Sequence, residues 1–264
     1  MKADRLTLFG IALGGAIVLL AGCKQTPESG NAATPTPSAT ATATAAAKDV
    51  RALSEAEQLK LAFRAVYGRD GAAQVRGGDA DIINVKPGRL FWIGDRAVLL
   101  SPGANESDCH ACSGALAIAY LKPQGDGFEV TGKWPTLVRG SGWGAEPEWK
   151  LVDRFTDNPA IYVESGWSGQ RYSCGGASIT ELKPDGPVES DRVWLSSSNE
   201  GAVDETTGKT FGGEPLSNLD GKIVDIVKGK SFAVRASGTA SFVERYEYRG
   251  GKFVPVQKES RLSC

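Results

Sequence analysis

The chain has 264 residues, and its 30 basic and 31 acidic side chains nearly cancel. A chain with no positive field and no basic stripe is a poor partner for phosphate polymers, so we expect no nucleic-acid binding. Glycine is abundant, at 33 residues, and large apolar residues are plentiful. This combination indicates many turns between short strands.

A secretory signal peptide is predicted over residues 1–22. Lys2 and Arg5 precede an apolar run over residues 6–20, which is shorter than the about 20 residues that a membrane-spanning helix needs. A basic start, a short apolar run and small residues at its end are typical of a segment that is removed on export.

The end of this segment reads Leu20-Ala21-Gly22-Cys23 and resembles the lipobox of bacterial lipoproteins. The resemblance implies cleavage before Cys23 and lipidation of its thiol, with more than one acyl chain giving a stable anchor. Lys24 stands where that family's inner-membrane retention signal usually has Asp. The resemblance therefore implies a lipid-anchored protein at the periplasmic face of the outer membrane.

Residues 23–48 are predicted to form a lipidated, disordered linker. The segment after the Cys is rich in Ala, Thr, Ser and Pro and nearly lacks large apolar residues, so it cannot repay the entropy cost of folding. Residues 49–264 then form one periplasmic domain, which is long enough to bury a hydrophobic core.

One amphipathic helix is predicted over residues 55–67, at the start of this domain. Ser54 and Glu57 have the spacing of a capping box, and Gly68 follows the last apolar position. The apolar residues recur at helical spacing, so we expect one face to dock on a sheet. These residues are Leu59, Ala62, Phe63, Val66 and Tyr67.

The rest of the domain is predicted to be mostly β, built from three repeated antiparallel three-strand units. Each unit has a strand ending in Ser or Pro and Gly, a loop, a second strand, a tight turn and a third strand. Such a unit hides one face only, so we expect the copies to pack as in a propeller or a layered meander. The first strands lie at 97–103, 160–166 and 232–238, and the second strands begin near 114, 176 and 239.

Four cysteines remain in the domain, Cys109, Cys112, Cys174 and Cys264. An even number in an oxidising compartment favours two disulfides, and the sequence leaves the pairing open. The Cys109 and Cys112 pair encloses His110, so it does not match a haem-attachment motif. A thiol-disulfide oxidoreductase would place such a pair at a helix start, whereas a strand-like segment follows here.

No catalytic constellation stands out, so we expect a binding protein that is not an enzyme and needs no metal or cofactor. His110 is the only histidine, and the chain has no Gly-x-Ser-x-Gly elbow for a serine nucleophile. A zinc site would need thiolates kept reduced in an oxidising compartment.

The stretch Ser168-Gly169-Gln170-Arg171-Tyr172 resembles the Ser-Gly-x-x-Tyr motif of bacterial periplasmic lysozyme inhibitors. The resemblance implies a protruding loop that enters a hydrolase cleft, with Ser168 bonding the catalytic carboxylates. Arg171 has the geometry to grip a second carboxylate, and Trp167 and Tyr172 would supply rigid aromatic contacts.

Two other interpretations of these loops stay open. Trp167 and Tyr172 also suit a hairpin that covers a sheet edge while Cys174 is tied down. The segment "GSGWG" at 140–144 is either a second contact loop or a sheet corner.

Our leading hypothesis is an inhibitor, or immunity protein, of a lysozyme-like peptidoglycan hydrolase. The alternative is a structural or assembly lipoprotein of the envelope that binds a protein partner. The third is a thiol-disulfide oxidoreductase that uses Cys109 and Cys112.

Overall fold

The computed structural model of the protein describes residues 49–77 and 81–263. These residues form two antiparallel sheets, one α-helix and two short 3-10 helices. The mostly β fold with one N-terminal helix, expected from the sequence, is confirmed. The signal peptide, Cys23, the linker and Cys264 lie outside the described residues.

The helix α1, Glu55–Tyr67, has the bounds and both caps that the sequence predicts. Ser54 and Glu57 form the capping box, and Gly68 ends the helix in the left-handed conformation with φ 72°. Ala62, Phe63 and Val66 are buried against the first sheet, as the apolar spacing requires.

The first sheet has six strands in the order β1-β2-β4-β5-β6, with β3 paired to β4. Its inner strands are long and apolar. The strands are β1 (Ala73–Gly77), β2 (Asp81–Val85), β3 (Arg89–Ile93), β4 (Arg96–Asn105), β5 (Ala115–Gln124) and β6 (Gly127–Arg139).

The second sheet has nine strands in the order β15-β14-β13-β12-β11-β9-β8-β7, with β10 paired to β9. The 3-10 helices are Val50–Ala52 and Glu200–Ala202. The strands are β7 (Trp149–Val152), β8 (Ala160–Gly169), β9 (Tyr172–Lys183), β10 (Gly186–Glu189), β11 (Val193–Ser198), β12 (Asn218–Val227), β13 (Ser231–Gly238), β14 (Phe242–Arg249) and β15 (Lys252–Pro255).

The repeated unit is present and has one more strand than the sequence predicts. Consecutive antiparallel pairing runs through β3-β4-β5-β6, through β7-β8-β9-β10 and through β12-β13-β14-β15. The last two copies share one sheet through β11, so the copies are layered and do not form separate blades.

The two sheets stack because β4 and β5 are apolar on both faces. In β5, Ala117 and Ala119 face α1, whereas Leu116 and Ile118 face the second sheet. Side chains alternate between the faces of a strand, so a strand buried on both sides reads as a continuous apolar run. Ile161 of β8 lies in the same buried cluster as Leu116.

The nine-stranded sheet curls into a half-barrel around its own aromatic core. Phe232 lies at the centre of this core, stacked on Tyr246 with ring centroids 4.9 Å apart and edge-on to Phe155 and Phe253. The curl brings β15 to the segment after β10, where the amide of Phe253 donates to the Ser190 hydroxyl at 3.0 Å.

The C-terminal segment is held to the half-barrel by the buried carboxylate of Glu244. Its oxygens accept hydrogen bonds from the Arg261 amide at 2.6 Å, the Ser260 hydroxyl at 2.8 Å and the Gln257 amide group at 3.3 Å. Only 4% of Glu244 is exposed, so these donors replace the water that the charge would otherwise bind.

No helix in the described part of the chain is long and apolar enough to cross a membrane.

We expect Glu244→Ala to lower the free energy of unfolding by about 1–3 kcal/mol, because the donors around it lose their acceptor inside the fold. Urea denaturation of the full chain in detergent measures this as a lower midpoint with an unchanged slope. Glu259→Ala is the matched control, since Glu259 is exposed in the same segment and its loss should change stability by less than about 0.5 kcal/mol. Equal effects of the two substitutions would contradict the role of Glu244 in holding the C-terminal segment.

Candidate functional site

Three connections from the two sheets meet beside one another. They are the disulfide loop between β4 and β5, the segment 140–148 between β6 and β7, and the hairpin that joins β8 to β9. Residues of all three line a surface groove. Loops on a stiff sheet are common positions for binding residues, and this is the candidate site.

The predicted protruding loop is a tight hairpin. The strand pairing continues to Gly169 and Tyr172, so only Gln170 and Arg171 form the turn. Both have positive φ, 51° and 70°, as in a type I′ turn. Type I′ turns favour Asn and Gly, which are absent from both turn positions, so residue types alone do not predict this turn.

Trp167 and Ser168 lie on the exposed last part of β8. Trp167 is 48% exposed, and its ring lies directly over Gly169, where a Cβ would come within 2.4 Å of the indole carbon Cζ2. Gly169 is therefore needed for this close contact. Among the described residues, the Ser168 hydroxyl has no hydrogen-bond partner, and Ser168 is exposed.

The Arg171 side chain lies over the ring of Phe211, with 4.6 Å from the guanidinium carbon to the ring centroid. Both residues are exposed. No acceptor within the described part of the chain binds the guanidinium, so the cation–π contact orients the Arg while leaving its donors open. The hairpin tip therefore lies on the protein surface against the segment that carries Phe211, and its guanidinium N–H groups stay exposed.

Tyr172 forms the second contact between the hairpin and the segment before β12. Its hydroxyl donates to Oε2 of Glu214 at 3.2 Å. Desolvation, followed by the Glu214 carboxylate, raises the pKa of the Tyr172 phenol, so the hydroxyl stays protonated and keeps donating. Phe211 and Glu214, which sequence reasoning missed, thus fix the base of the tip.

The disulfide loop is closed by a bond between Cys109 and Cys112, one of the pairs that the sequence left open. The Cys112 amide also donates to the Cys109 carbonyl at 2.9 Å, forming a turn. Cys174 is likewise disulfide-bonded. No described helix begins at the Cys109–Cys112 pair, so it lacks the dipole that activates a catalytic thiol.

Asn105, at the end of β4, holds two of the three connections in place. Its side-chain amide donates to Oδ1 of Asp81 at 2.9 Å and to the Ser113 carbonyl at 3.3 Å. Its backbone amide donates to the Gly144 carbonyl at 2.9 Å. A single buried side chain and its backbone thus connect β2, the disulfide loop and the segment 140–148.

Arg139 completes this network from β6. Its guanidinium donates to Oδ2 of Asp81 at 2.5 Å and to the Ser113 carbonyl at 3.3 Å. The hydrogen bond from Arg139, with a smaller one from Asn105, holds the pKa of the Asp81 carboxyl below its usual value. The charged carboxylate is therefore the form of Asp81 that binds Arg139 and Asn105 and so stabilises the connections they hold.

The segment 140–148 presents Trp143, which is 65% exposed. Its φ is 63°, a left-handed conformation that is strained for a bulky residue. The indole packs edge-on against His110 with ring centroids 4.9 Å apart, and its backbone amide donates to the Cys109 carbonyl at 3.2 Å. Trp143 turns the chain and also stays exposed. The segment can therefore be both a sheet corner and a contact loop, the two alternatives that the sequence left open.

The groove between these connections has two parts, with volumes of about 420 Å³ and 360 Å³. Its wall at the start of β11, which sequence reasoning did not single out, carries Arg192 just before the strand, stacked on Trp194 with 4.9 Å from the guanidinium carbon to the ring centroid. No Asp or Glu of the described chain lines either part. The side chains that carry its chemistry are His110, Trp143, Trp167, Arg192, Trp194 and Ser196.

Within the described residues, no three His, Cys, Asp or Glu side chains are grouped as metal ligands. The chain matches no protein-family model, no curated protein and no solved structure.

We expect Asp81→Asn to reduce stability at neutral pH by less than about 1 kcal/mol, the range for partly exposed ion pairs. Folding lowers the pKa of Asp81, so its contribution is present above the unfolded pKa of about 3.9 and is lost as pH falls through the folded value. Urea midpoints of both proteins measured between pH 7 and pH 3 should therefore converge below about pH 4.

Asp126→Asn serves as the control, because Asp126 is exposed in the turn between β5 and β6. It should leave the pH dependence of the urea midpoint unchanged. A difference between Asp81→Asn and the parent that stays constant over this pH range would contradict the role of the ionised carboxylate.

Proposed function

We propose that the protein inhibits a lysozyme-like peptidoglycan hydrolase by inserting the β8–β9 hairpin tip into its active-site cleft. One observation carries the proposal. Ser168 and Arg171 are exposed at the tip of a stiff hairpin. Within the described chain, the Ser168 hydroxyl has no hydrogen-bond partner and the Arg171 guanidinium has no acceptor.

The chemistry of the tip complements that of a glycosidase cleft. Such a cleft holds a pair of carboxyl groups at its centre and accepts a narrow polymer. The Ser168 hydroxyl can donate to one carboxylate, and the Arg171 guanidinium can bind the other through two parallel hydrogen bonds. A two-residue hairpin is narrow enough to follow the path of a glycan strand.

The contacts below the tip lower the entropy cost of binding. Arg171 is stacked on Phe211, and Tyr172 is bonded to Glu214, so both side chains are ordered before a partner arrives. Preorganisation of this kind raises affinity by reducing what must be ordered on association. Trp167, exposed beside Ser168, supplies the apolar contact area that interface hot spots use.

The proposed location supports this function. A lipidated Cys23 and the linker predicted after it would hold the domain at the periplasmic face of the outer membrane, where an imported or secreted hydrolase reaches the cell wall. An immunity protein in that position would meet its target before the target meets the wall.

The alternative is an envelope lipoprotein that binds a structural or assembly partner, and a second exposed surface favours it. Val243 and Val256 lie on the β14–β15 side of the half-barrel and are 51% and 48% exposed. Apolar side chains exposed near one another often mark a protein interface. Crosslinking in cells distinguishes the two functions by whether the captured partner is a hydrolase.

The double substitution Ser168→Ala with Arg171→Ala should weaken inhibition by at least about tenfold, because loss of hot-spot hydrogen bonds to charged groups typically costs more than 1.4 kcal/mol. The measurement is the inhibition constant of the full chain in detergent against c-, g- and i-type lysozymes and related hydrolases.

Ser241→Ala with Arg235→Ala is the matched control, since both residues are exposed on the β13–β14 hairpin, away from the tip in sequence. It should leave inhibition unchanged. The proposal fails if none of these hydrolases is bound, or if the tip variant inhibits as well as the parent protein.

A further inference from the structure

The groove between the disulfide loop, the segment 140–148 and the β8–β9 hairpin shares Trp167 and Ser168 with the hairpin and adds side chains that the hairpin tip lacks. Arg171 is not part of its lining, whereas His110, Trp143 and Arg192 are. Each part has a volume of about 420 Å³ or 360 Å³, within the usual range for small-ligand sites.

We propose that this groove binds an oligosaccharide that carries a carboxylate. A pyranose ring has an apolar face of C–H groups and a rim of hydroxyls, so its binding sites combine aromatic planes with short polar side chains. The groove has this combination, because both tryptophan and serine side chains line each of its parts.

The indole of Trp143 is held in the groove by a strained backbone conformation. Trp143 has a positive φ of 63° although 65% of the residue is exposed, so the strain cannot be explained by burial of its ring. Strained backbone that persists on a surface is typical of ligand-binding positions. Trp143 and Trp167 line the same part of the groove and present two indoles to one occupant.

Two serines of the groove, Ser141 and Ser165, accept hydrogen bonds and keep their own hydroxyl protons. The Ser141 hydroxyl accepts from the Gly166 amide at 3.1 Å, and the Ser165 hydroxyl accepts from Arg192 at 3.2 Å. A hydroxyl that accepts one bond still has its own O–H to donate. These serines can therefore donate to the oxygens of a sugar without losing their internal bonds.

The charge of the groove selects an acidic sugar. Arg192 uses one terminal nitrogen for Ser165 and stacks on Trp194, which leaves other guanidinium N–H groups for a ligand. His110 adds its ring nitrogens to the lining, and no Asp or Glu of the described chain lines the groove. A carboxylate on the saccharide would find N–H donors there, and Glu189, whose charge interacts with that of Arg192, does not line the groove.

The groove is also rigid. A Cβ at Gly142 would lie 2.2 Å from the His110 carbonyl oxygen, so the disulfide loop and the segment 140–148 are in direct backbone contact. The Gly144 amide donates to the Cys112 carbonyl at 2.9 Å. A site assembled before its ligand arrives binds with less ordering cost.

Two sources of such a saccharide are distinguished by probes in isothermal titration of the full chain in detergent. N-acetylglucosaminyl-N-acetylmuramic acid represents peptidoglycan strands, and trigalacturonic acid represents uronic-acid polymers. We expect one or both to bind with a dissociation constant below about 1 mM, and neutral chitotriose to bind at least about tenfold more weakly. Whichever acid binds identifies the source.

Trp143→Gly tests the site without harming the fold, because Gly adopts positive φ freely. It should keep or raise the urea midpoint while weakening saccharide binding by at least about tenfold. Arg192→Gln should remove the preference for the acidic sugars over chitotriose. Arg171→Ala, which alters the hairpin tip alone, should leave saccharide binding unchanged.

The proposal is overturned if neither acidic saccharide binds, if chitotriose binds equally well, or if Trp143→Gly and Arg192→Gln bind like the parent protein. These results do not depend on hydrolase inhibition, which the double substitution Ser168→Ala with Arg171→Ala tests separately. Loss of saccharide binding in Arg171→Ala would also count against the groove as the site.

Discussion

Burial of β4 and β5 on both faces determines how the rest of the molecule is arranged. Leu116 and Ile118 pack against the second sheet while Ala117 and Ala119 pack against α1, so the strand has no face left for water. Removing either neighbour would expose an apolar surface. The disulfide loop and the β8–β9 hairpin come from different sheets and are brought together by this stacking.

Backbone strain is concentrated where those connections meet. Of the four non-glycine residues with positive φ in the described chain, Trp143, Gln170 and Arg171 lie at the groove or the hairpin tip, and only Asp225 lies elsewhere. Gly142 and Gly169 are positions of close contact with a backbone carbonyl and an indole ring. The strained backbone at these positions fixes the direction of two exposed side chains, the indole of Trp143 and the guanidinium of Arg171.

Local features of the fold could be predicted because each depends on neighbours in sequence. The capping box of Ser54 and Glu57 and the apolar spacing of Phe63 and Val66 set the helix bounds within one segment. The site could be predicted only in part. The sequence located the segment that forms the hairpin tip, whereas Phe211 and Arg192 give no signal, since Phe211 meets Arg171 and Arg192 meets Ser165 from distant parts of the chain.

The sequence by itself determined the helix, most strands and the repeated hairpin pattern, because capping, alternation and turn chemistry act over a few residues. Tertiary structure alone decided that two repeats share one curled sheet, that Cys109 pairs with Cys112, and that three separate connections enclose one groove. The physical reason is that sheet order and face-to-face packing depend on apolar area buried between distant segments, which local pattern does not specify.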